Sequence, residues 1–263
     1  MVTEMAPAAA GLPVRALLFD LFDTLVDLYM EKLPHFRHRG LALPASARAI
    51  HAALPTRAGI DFDTFARALG QLDAQFLVSH YKKDIELPSV QRFSTLSARL
   101  GLPDEGLPEI LAQVHMDLLR EEVAMPLHHL ELLATLGRRV RIGVCSNFSH
   151  SRAATGILED YGLDDHLAAV VVSEDIGLRK PRGEIFLAAL EALGVGPEET
   201  LHVGDNLAAD VTGAAALGIR TVWVTRRVSD PEELLTRHAG PRPDYRIADL
   251  NELPGILDEV GTA

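Results

Sequence analysis

Along the second half of the chain, short apolar runs that end in a polar residue alternate with longer stretches whose apolar positions recur every three or four residues. Val140–Cys145 is such a run, ending at Ser146. Leu167–Val172, Thr200–Val203 and Thr221–Val224 are the next three, and Gly204-Asp205 sits at the tip of the second of these. Runs of four to six apolar residues are strands by length, and Leu167–Val172 reads as one buried on both faces. The intervening stretches predict helices over Leu127–Leu136, 149–161, Glu184–Leu193 and Leu207–Leu217, each stopped by a glycine: Gly137, Gly162, Gly194 and Gly218. Glycine suits the position after a helix because it adopts the left-handed conformation without a steric penalty. A further strand is predicted near the start, Val14–Phe19, and an edge strand at Tyr245–Ile247 before a last helix, Leu250–Val260. Strand–helix alternation of this kind predicts an α/β fold with a doubly wound parallel sheet and right-handed crossovers.

One gap breaks the rhythm. Asp20 follows the first strand and Ser146 ends the next comparable one, whereas a single crossover needs only about 30 residues. A subdomain is therefore inserted. Its apolar positions have helical spacing: Phe62, Phe65, Leu69, Leu72 and Phe76 lie on one face, and Leu96, Leu100, Leu107, Ile110, Leu111, Val114, Leu118 and Leu119 continue the pattern across a break at Gly101-Leu102-Pro103. The expected division is a core of residues 12–27 and 124–263 and an all-helical insertion of residues 28–123. The first twelve residues read as a loose Ala/Pro tail.

Composition narrows the chemistry. The formal charge of −12 opposes nucleic acid and phospholipid partners. No apolar run approaches the ~18 residues of a membrane span, and the N-terminus lacks a signal-type core. A single cysteine, Cys145, excludes an internal disulfide and suits a reducing compartment, so a cytoplasmic location is expected. The expected partner is a small molecule, bound by a monomer or a homodimer. The basic clusters Arg37-His38-Arg39, Arg138-Arg139 and Arg226-Arg227 lack interleaved aromatics and read as solvated loop or helix ends. An acidic protein that handles an anion needs positive charge concentrated locally, which a metal ion and one lysine would supply.

Four polar groups stand at or just past predicted strand ends: Asp20, Ser146-Asn147, Lys180, and Asp205 with Asp210. Ligands of open α/β sheets sit at such ends. A carboxylate at Asp20 serves as nucleophile, as metal ligand, or as the cap of the next element. Ser146-Asn147 and the two later aspartates also suit helix caps, and Lys180 suits a surface turn before Pro181. Cys145, inside an apolar strand, reads as a packing residue. The histidines His35, His38, His128 and His129 lack companion ligands at metal-site spacing and read as surface residues.

Taken in order, Phe19-Asp20-Leu21-Phe22-Asp23-Thr24-Leu25, Cys145-Ser146-Asn147, Lys180-Pro181 leading into Glu184-Ile185-Phe186, and Gly204-Asp205-Asn206-Leu207-Ala208-Ala209-Asp210 resemble the haloacid dehalogenase-like hydrolase superfamily, of the type with a helical cap after the first motif. The resemblance implies a Rossmann-like core in which Asp20 is nucleophile and Mg²⁺ ligand, the carbonyl of Phe22 a second ligand and Asp205 a third, with Asp210 in support. It also implies that Lys180 and Ser146 act in catalysis, and that Asn147 with the backbone of Asp23 and Thr24 binds the transferring group. Phosphatases of this superfamily carry a second aspartate two residues after the nucleophile, as the acid for the leaving oxygen; here that residue is Phe22. The resulting expectation is a Mg²⁺-dependent phosphohydrolase, working through an aspartyl-phosphate on a phosphate ester or anhydride. The alternatives are a 2-haloacid dehalogenase-like C–X hydrolase, and a non-catalytic binding or regulatory protein.

Overall fold

The computed structural model describes residues 12–102 and 105–262. All of the predicted N-terminal tail but Leu12, and Pro103 of the Gly-Leu-Pro break, lie outside these residues. The chain separates into two compact units, one of residues 1–27 with 125–263 and one of residues 28–124.

The first unit is built on six parallel strands: β1 (Ala16–Phe19), β2 (Arg141–Ser146), β3 (Ala169–Val172), β4 (Thr200–Gly204), β5 (Arg220–Val224) and β6 (Tyr245–Ile247). Their order across the sheet is β6-β5-β4-β1-β2-β3, so the chain winds outward from β1 through β2 and β3, then returns to the other side of β1 to lay down β4. This reversal creates a crevice beyond the carboxyl ends of β1 and β4, where adjoining connections depart in opposite directions. All four residues of β1 are fully buried, as expected for the middle strand of a sheet covered on both faces. On one face Ala16 and Leu18 pack with Ile185, Phe186 and Leu190 of the helix Gly183–Leu193.

Two predicted elements differ in detail. Leu167–Val172 was expected to be fully buried, but β3 is an edge strand in which Ala169, Val170 and Val171 are only half-buried. Apolar composition reports affinity for a sheet, and an edge strand can have it too. The helix expected over Leu207–Leu217 instead opens with a wide π turn, Leu207–Val211, and continues as Thr212–Ala215. Asn206 caps it, its side chain accepting from the amides of Ala208 and Ala209 at 3.0 Å each. Tyr245–Ile247 is the other edge strand, as the pattern predicts.

The second unit has a core of its own. The helix Phe62–Ser79 buries Phe65, Leu69, Leu72 and Phe76 along the predicted face, and Asp61 caps it by accepting from the Thr64 amide at 2.7 Å. The helices Ser89–Arg99 and Leu107–Glu121 supply Phe93, Leu96, Leu107 and Leu111 to the same cluster. Ile110, expected on that face, is exposed. The unit is not all-helical, because Phe36–His38 and Leu41–Leu43 form an antiparallel hairpin. Its two-residue turn has Arg39 and Gly40 at φ 48° and 85°, the positive pair that a tight hairpin of matching twist requires. No helix among the described residues is long and apolar enough to cross a membrane.

Candidate active site

Sheet register brings the polar strand ends to one level. Phe19 lies opposite Val144 of β2 and Val203 of β4, so Asp20, Cys145-Ser146 and Gly204-Asp205 emerge side by side. The Asp20 amide still donates to the Val203 carbonyl at 2.8 Å, which ties the start of the loop to the sheet.

Lys180 is the hub. Its ammonium, buried to 3 % exposure, donates to Asp20 Oδ1 at 2.6 Å, to Asp210 Oδ1 at 2.6 Å and to the Cys145 carbonyl at 2.7 Å. All three donors of an ammonium are thereby used. Its backbone is fixed by Asn147, which accepts from the Lys180 amide at 2.7 Å and donates to the Lys180 carbonyl at 3.0 Å. Asp210 is equally saturated. Its Oδ1 also accepts from His202 Nε2 at 3.0 Å, and its Oδ2 accepts from the Asn206 amide at 3.0 Å. Gly204 makes room for this carboxylate, since a Cβ there would stand 2.5 Å from Asp210 Oδ2 and 2.7 Å from its Cβ. Asp205 differs from its neighbours. Its carbonyl accepts from Trp223 Nε1 at 2.7 Å, but its half-buried carboxylate has no hydrogen-bond donor among the described residues.

The charges follow from this wiring. Burial alone would push every member toward its neutral form. For Asp210 burial is outweighed by Lys180 and His202, and its carboxyl is held below the usual range. Burial likewise opposes the charge of Lys180, yet Asp20 and Asp210 keep it firmly protonated. At Asp20 burial prevails: with Asp210 adding to it and Lys180 opposing, the carboxyl is pushed up to about 6. Asp205 is pushed up to about 8, by burial and then by the carboxylates of Asp20, Asp210 and Asp23. One ammonium cannot balance this many acids. The excess negative charge is a demand for a cation, and carboxylate oxygens of Asp20, Asp205 and Asp210 all lie within 4.8 Å of one another. Hydrogen bonding leaves Asp20 and Asp205 as the groups with lone pairs to give. All-oxygen donors of this kind suit a hard divalent cation such as Mg²⁺.

Around this centre two hydroxyls, those of Ser146 and Thr24, are buried without a hydrogen-bond partner. The Cys145 thiol, fully buried, is pushed up to about 12 by that burial and stays neutral, in agreement with the packing role.

Residues 14–218 match the sequence profile of a family described as haloacid dehalogenase-like hydrolase. The chain belongs to this family. It is a hydrolase. Its relatives are named for different activities. Phosphoserine phosphatase of Thermus thermophilus is 29% identical over 272 residues, covering 91% of this chain and 98% of its own. Glyceraldehyde 3-phosphate phosphatase of Pyrococcus furiosus is 30% identical over 250 residues, covering 93% of each. The crystal structure of a 2-haloacid dehalogenase from Pseudomonas syringae superposes with a TM-score of 0.67 at 21% identity, over 94% of this chain and 100% of that one, a likeness of fold.

In this haloacid dehalogenase-like hydrolase the loop after Asp20 carries an aromatic residue. Phe22 places its ring against Phe148 with centroids 4.8 Å apart, an apolar wall beside the polar centre. Asp23 has φ 56°, and its carboxylate pairs with Arg227 Nε at 2.8 Å. Asp27, four residues on, takes both terminal nitrogens of Arg226, one of them at 2.8 Å. Arg226-Arg227, expected to be solvated, is thus a clamp on the loop that follows Asp20. Bidentate geometry suits arginine and carboxylate, but nothing in the linear sequence connects partners about two hundred positions apart. His202 was also missed; a lone histidine inside the apolar strand Thr200–Gly204, two residues before Gly204, was its available signal.

Proposed function

We propose that the chain is a Mg²⁺-dependent phosphohydrolase acting on a small phosphate ester or anhydride, with Asp20 as nucleophile. The observation that carries this reading is Asp205. Its carboxyl is pushed up to about 8 beside Asp20, so its ionised form, with no donor of its own, is unfavourable unless a cation is shared between them. A divalent cation, held by Asp20, Asp205 and the Phe22 carbonyl, would neutralise charge on a phosphoryl group and on its attacker.

In the proposed reaction Lys180 occupies Asp20 Oδ1, which leaves Oδ2 to attack phosphorus. The bond from phosphorus to the leaving oxygen breaks, its electron pair departs with that oxygen, and Asp20 carries the phosphoryl group. Water then attacks the same phosphorus, the aspartyl P–O bond breaks, and Asp20 and inorganic phosphate are released. The Ser146 and Thr24 hydroxyls, each buried and unpartnered, gain acceptors when phosphoryl oxygens arrive, as do the Asn147 amide and the backbone amides of Asp23 and Thr24. Asp210 keeps Lys180 oriented, and His202 keeps Asp210 oriented. Neither loop residue supplies an acid to the leaving oxygen: Phe22 packs on Phe148, and Asp23 is tied to Arg227. Residues 28–124, which enter the chain just after this loop, are proposed to be the cap that selects the substrate. The relatives named phosphatases support this reading.

The aromatic wall at Phe22 favours leaving groups that depart without a proton, and halide is one. A parallel assay decides between them: phosphate released from an aryl phosphate, and halide released from a 2-haloacid, each with Mg²⁺ and with a chelator. Phosphate release that stops on chelation supports the proposal. Chelator-insensitive halide release would sink it.

A further inference from the structure

His128, His129 and Asp249 come together at the N-terminus of the helix His128–Leu136, away from the Lys180 hub. A ligand atom from each lies within 4.8 Å of the others'. The sequence offers no companion for the histidine pair at close spacing; the fold supplies one from the loop that follows β6.

Three observations give this cluster the character of a metal site. First, His129 is fully buried, and its Nδ1 lies 2.8 Å from the Leu25 carbonyl. A carbonyl only accepts, so Nδ1 carries the proton and Nε2 carries the lone pair. Second, that Nε2 is buried with no hydrogen-bond donor. A neutral imidazole with one nitrogen donating to a backbone carbonyl and the other bare is the arrangement that metal-ligating histidines adopt, because the outer hydrogen bond sets tautomer and ring orientation. Burial also holds His129 in the neutral form that a ligand needs. Third, the other two members are already within contact distance and reach solvent. His128 Nε2 donates to Asp249 Oδ1 at 2.9 Å, an oxygen that also accepts from the Asn251 amide, and with side chains 39% and 32% exposed an ion could enter from outside and replace that proton. Arg226, a cation whose charge reaches His129, is neutralised by its pair with Asp27.

We propose that His128, His129 and Asp249 form a second cation site, specific for a zinc-type transition metal and independent of the carboxylate centre. Two imidazoles and one carboxylate are a zinc-type donor set with a fourth position left for water. Magnesium, which prefers oxygen, should be rejected by it. Such an ion would staple the start of the helix His128–Leu136 to the Asp249 loop. Through the Leu25 carbonyl it would also brace the segment that follows Asp20.

The test is zinc binding to the full chain in a large excess of Mg²⁺, so that the carboxylate centre is filled, with bound zinc measured after desalting and affinity measured by titration. The expected result is one zinc per chain, a raised thermal midpoint, and a visible spectrum of four-coordinate cobalt when Co²⁺ replaces zinc. His128→Ala, at a half-exposed position that folding tolerates, should weaken zinc binding at least about tenfold, as loss of even an outer partner does. Asp205→Asn should leave that zinc in place. The proposal is overturned if the wild-type chain retains no zinc, if His128→Ala binds it as tightly as wild type, or if Asp205→Asn loses it.

Discussion

If Asp205 holds the proposed cation, protons must compete for it, and this makes the carboxylate centre measurable. With its carboxyl pushed up to about 8, Asp205 is protonated at neutral pH in the metal-free protein, and a cation must displace that proton to bind. One proton per cation corresponds to about a tenfold loss of apparent affinity, or about 1.4 kcal/mol, for each pH unit below about 8. Between pH 8, where the carboxyl is already half protonated, and pH 6 the Mg²⁺ affinity should therefore fall roughly 50-fold, about 2.3 kcal/mol. Below pH 6 the slope steepens, because Asp20, pushed up to about 6, begins to hold a proton as well and the two titrate as a pair. Calorimetric titration of Mg²⁺ in two buffers of different ionisation enthalpy counts the protons released. Asp205→Asn should bind Mg²⁺ weakly at every pH and with far less proton release over that range. A wild-type affinity that changes by less than about threefold between pH 6 and pH 8, with no proton released, would refute the reasoning from burial and like charge.

Further outcomes follow from the same geometry. Gly204→Ala places a methyl group against Asp210, displaces the carboxylate that orients Lys180, and should abolish turnover while lowering stability by about 1–3 kcal/mol through overpacking, read by denaturant unfolding. Phe22→Asp should raise activity on alkyl phosphates selectively, within the roughly 10²–10⁴-fold that a general acid contributes; an equal effect on aryl phosphates would count against it. Asp23→Ala loses the Arg227 pair and puts alanine at positive φ, so alkyl and aryl substrates should suffer alike. His202 and His129 are both held below their ordinary range by burial. Their unfolded forms take up protons first, so these two histidines cost stability as pH drops below about 6.5, against the opposite contribution of Asp20 and Asp205, whose raised carboxyls take up protons in the folded chain. His202→Gln should shift the acid-side slope of the metal-free thermal midpoint toward greater stability.

Much of this fold and site is legible in the residues because each signal is local. Apolar runs ending at Asp20, Ser146 and Asp205 mark strands, and Phe65, Leu69, Leu72 and Phe76 mark a helix face, since side-chain periodicity is a property of one element. Lys180 and Asp210 were found through motif order. What escaped depends on pairing across the sheet. Arg227 meets Asp23, and Asp249 meets His128, only after β5 and β6 have been laid beside β4. The half-exposed edge position of β3 escaped for the same reason, as did the hairpin at Phe36–Leu43, whose Arg39-Gly40 turn lacks the Asn or Asp that usually announces one.

The middle position of β1 also has a consequence in time. Among the described strands of the sheet it is made first, yet its neighbour β4 ends at Gly204. Synthesis at about 5–20 residues per second separates Phe19 from Gly204 by about 185 residues, or roughly 10–40 s. Through that interval an entirely apolar strand has at least one open edge, while residues 28–124 have already been made and carry a core of their own. The nascent chain should therefore depend on holding chaperones between completion of the inserted unit and arrival of β4. Truncations that end before Gly204 should aggregate, and those that end beyond β5 should become progressively soluble.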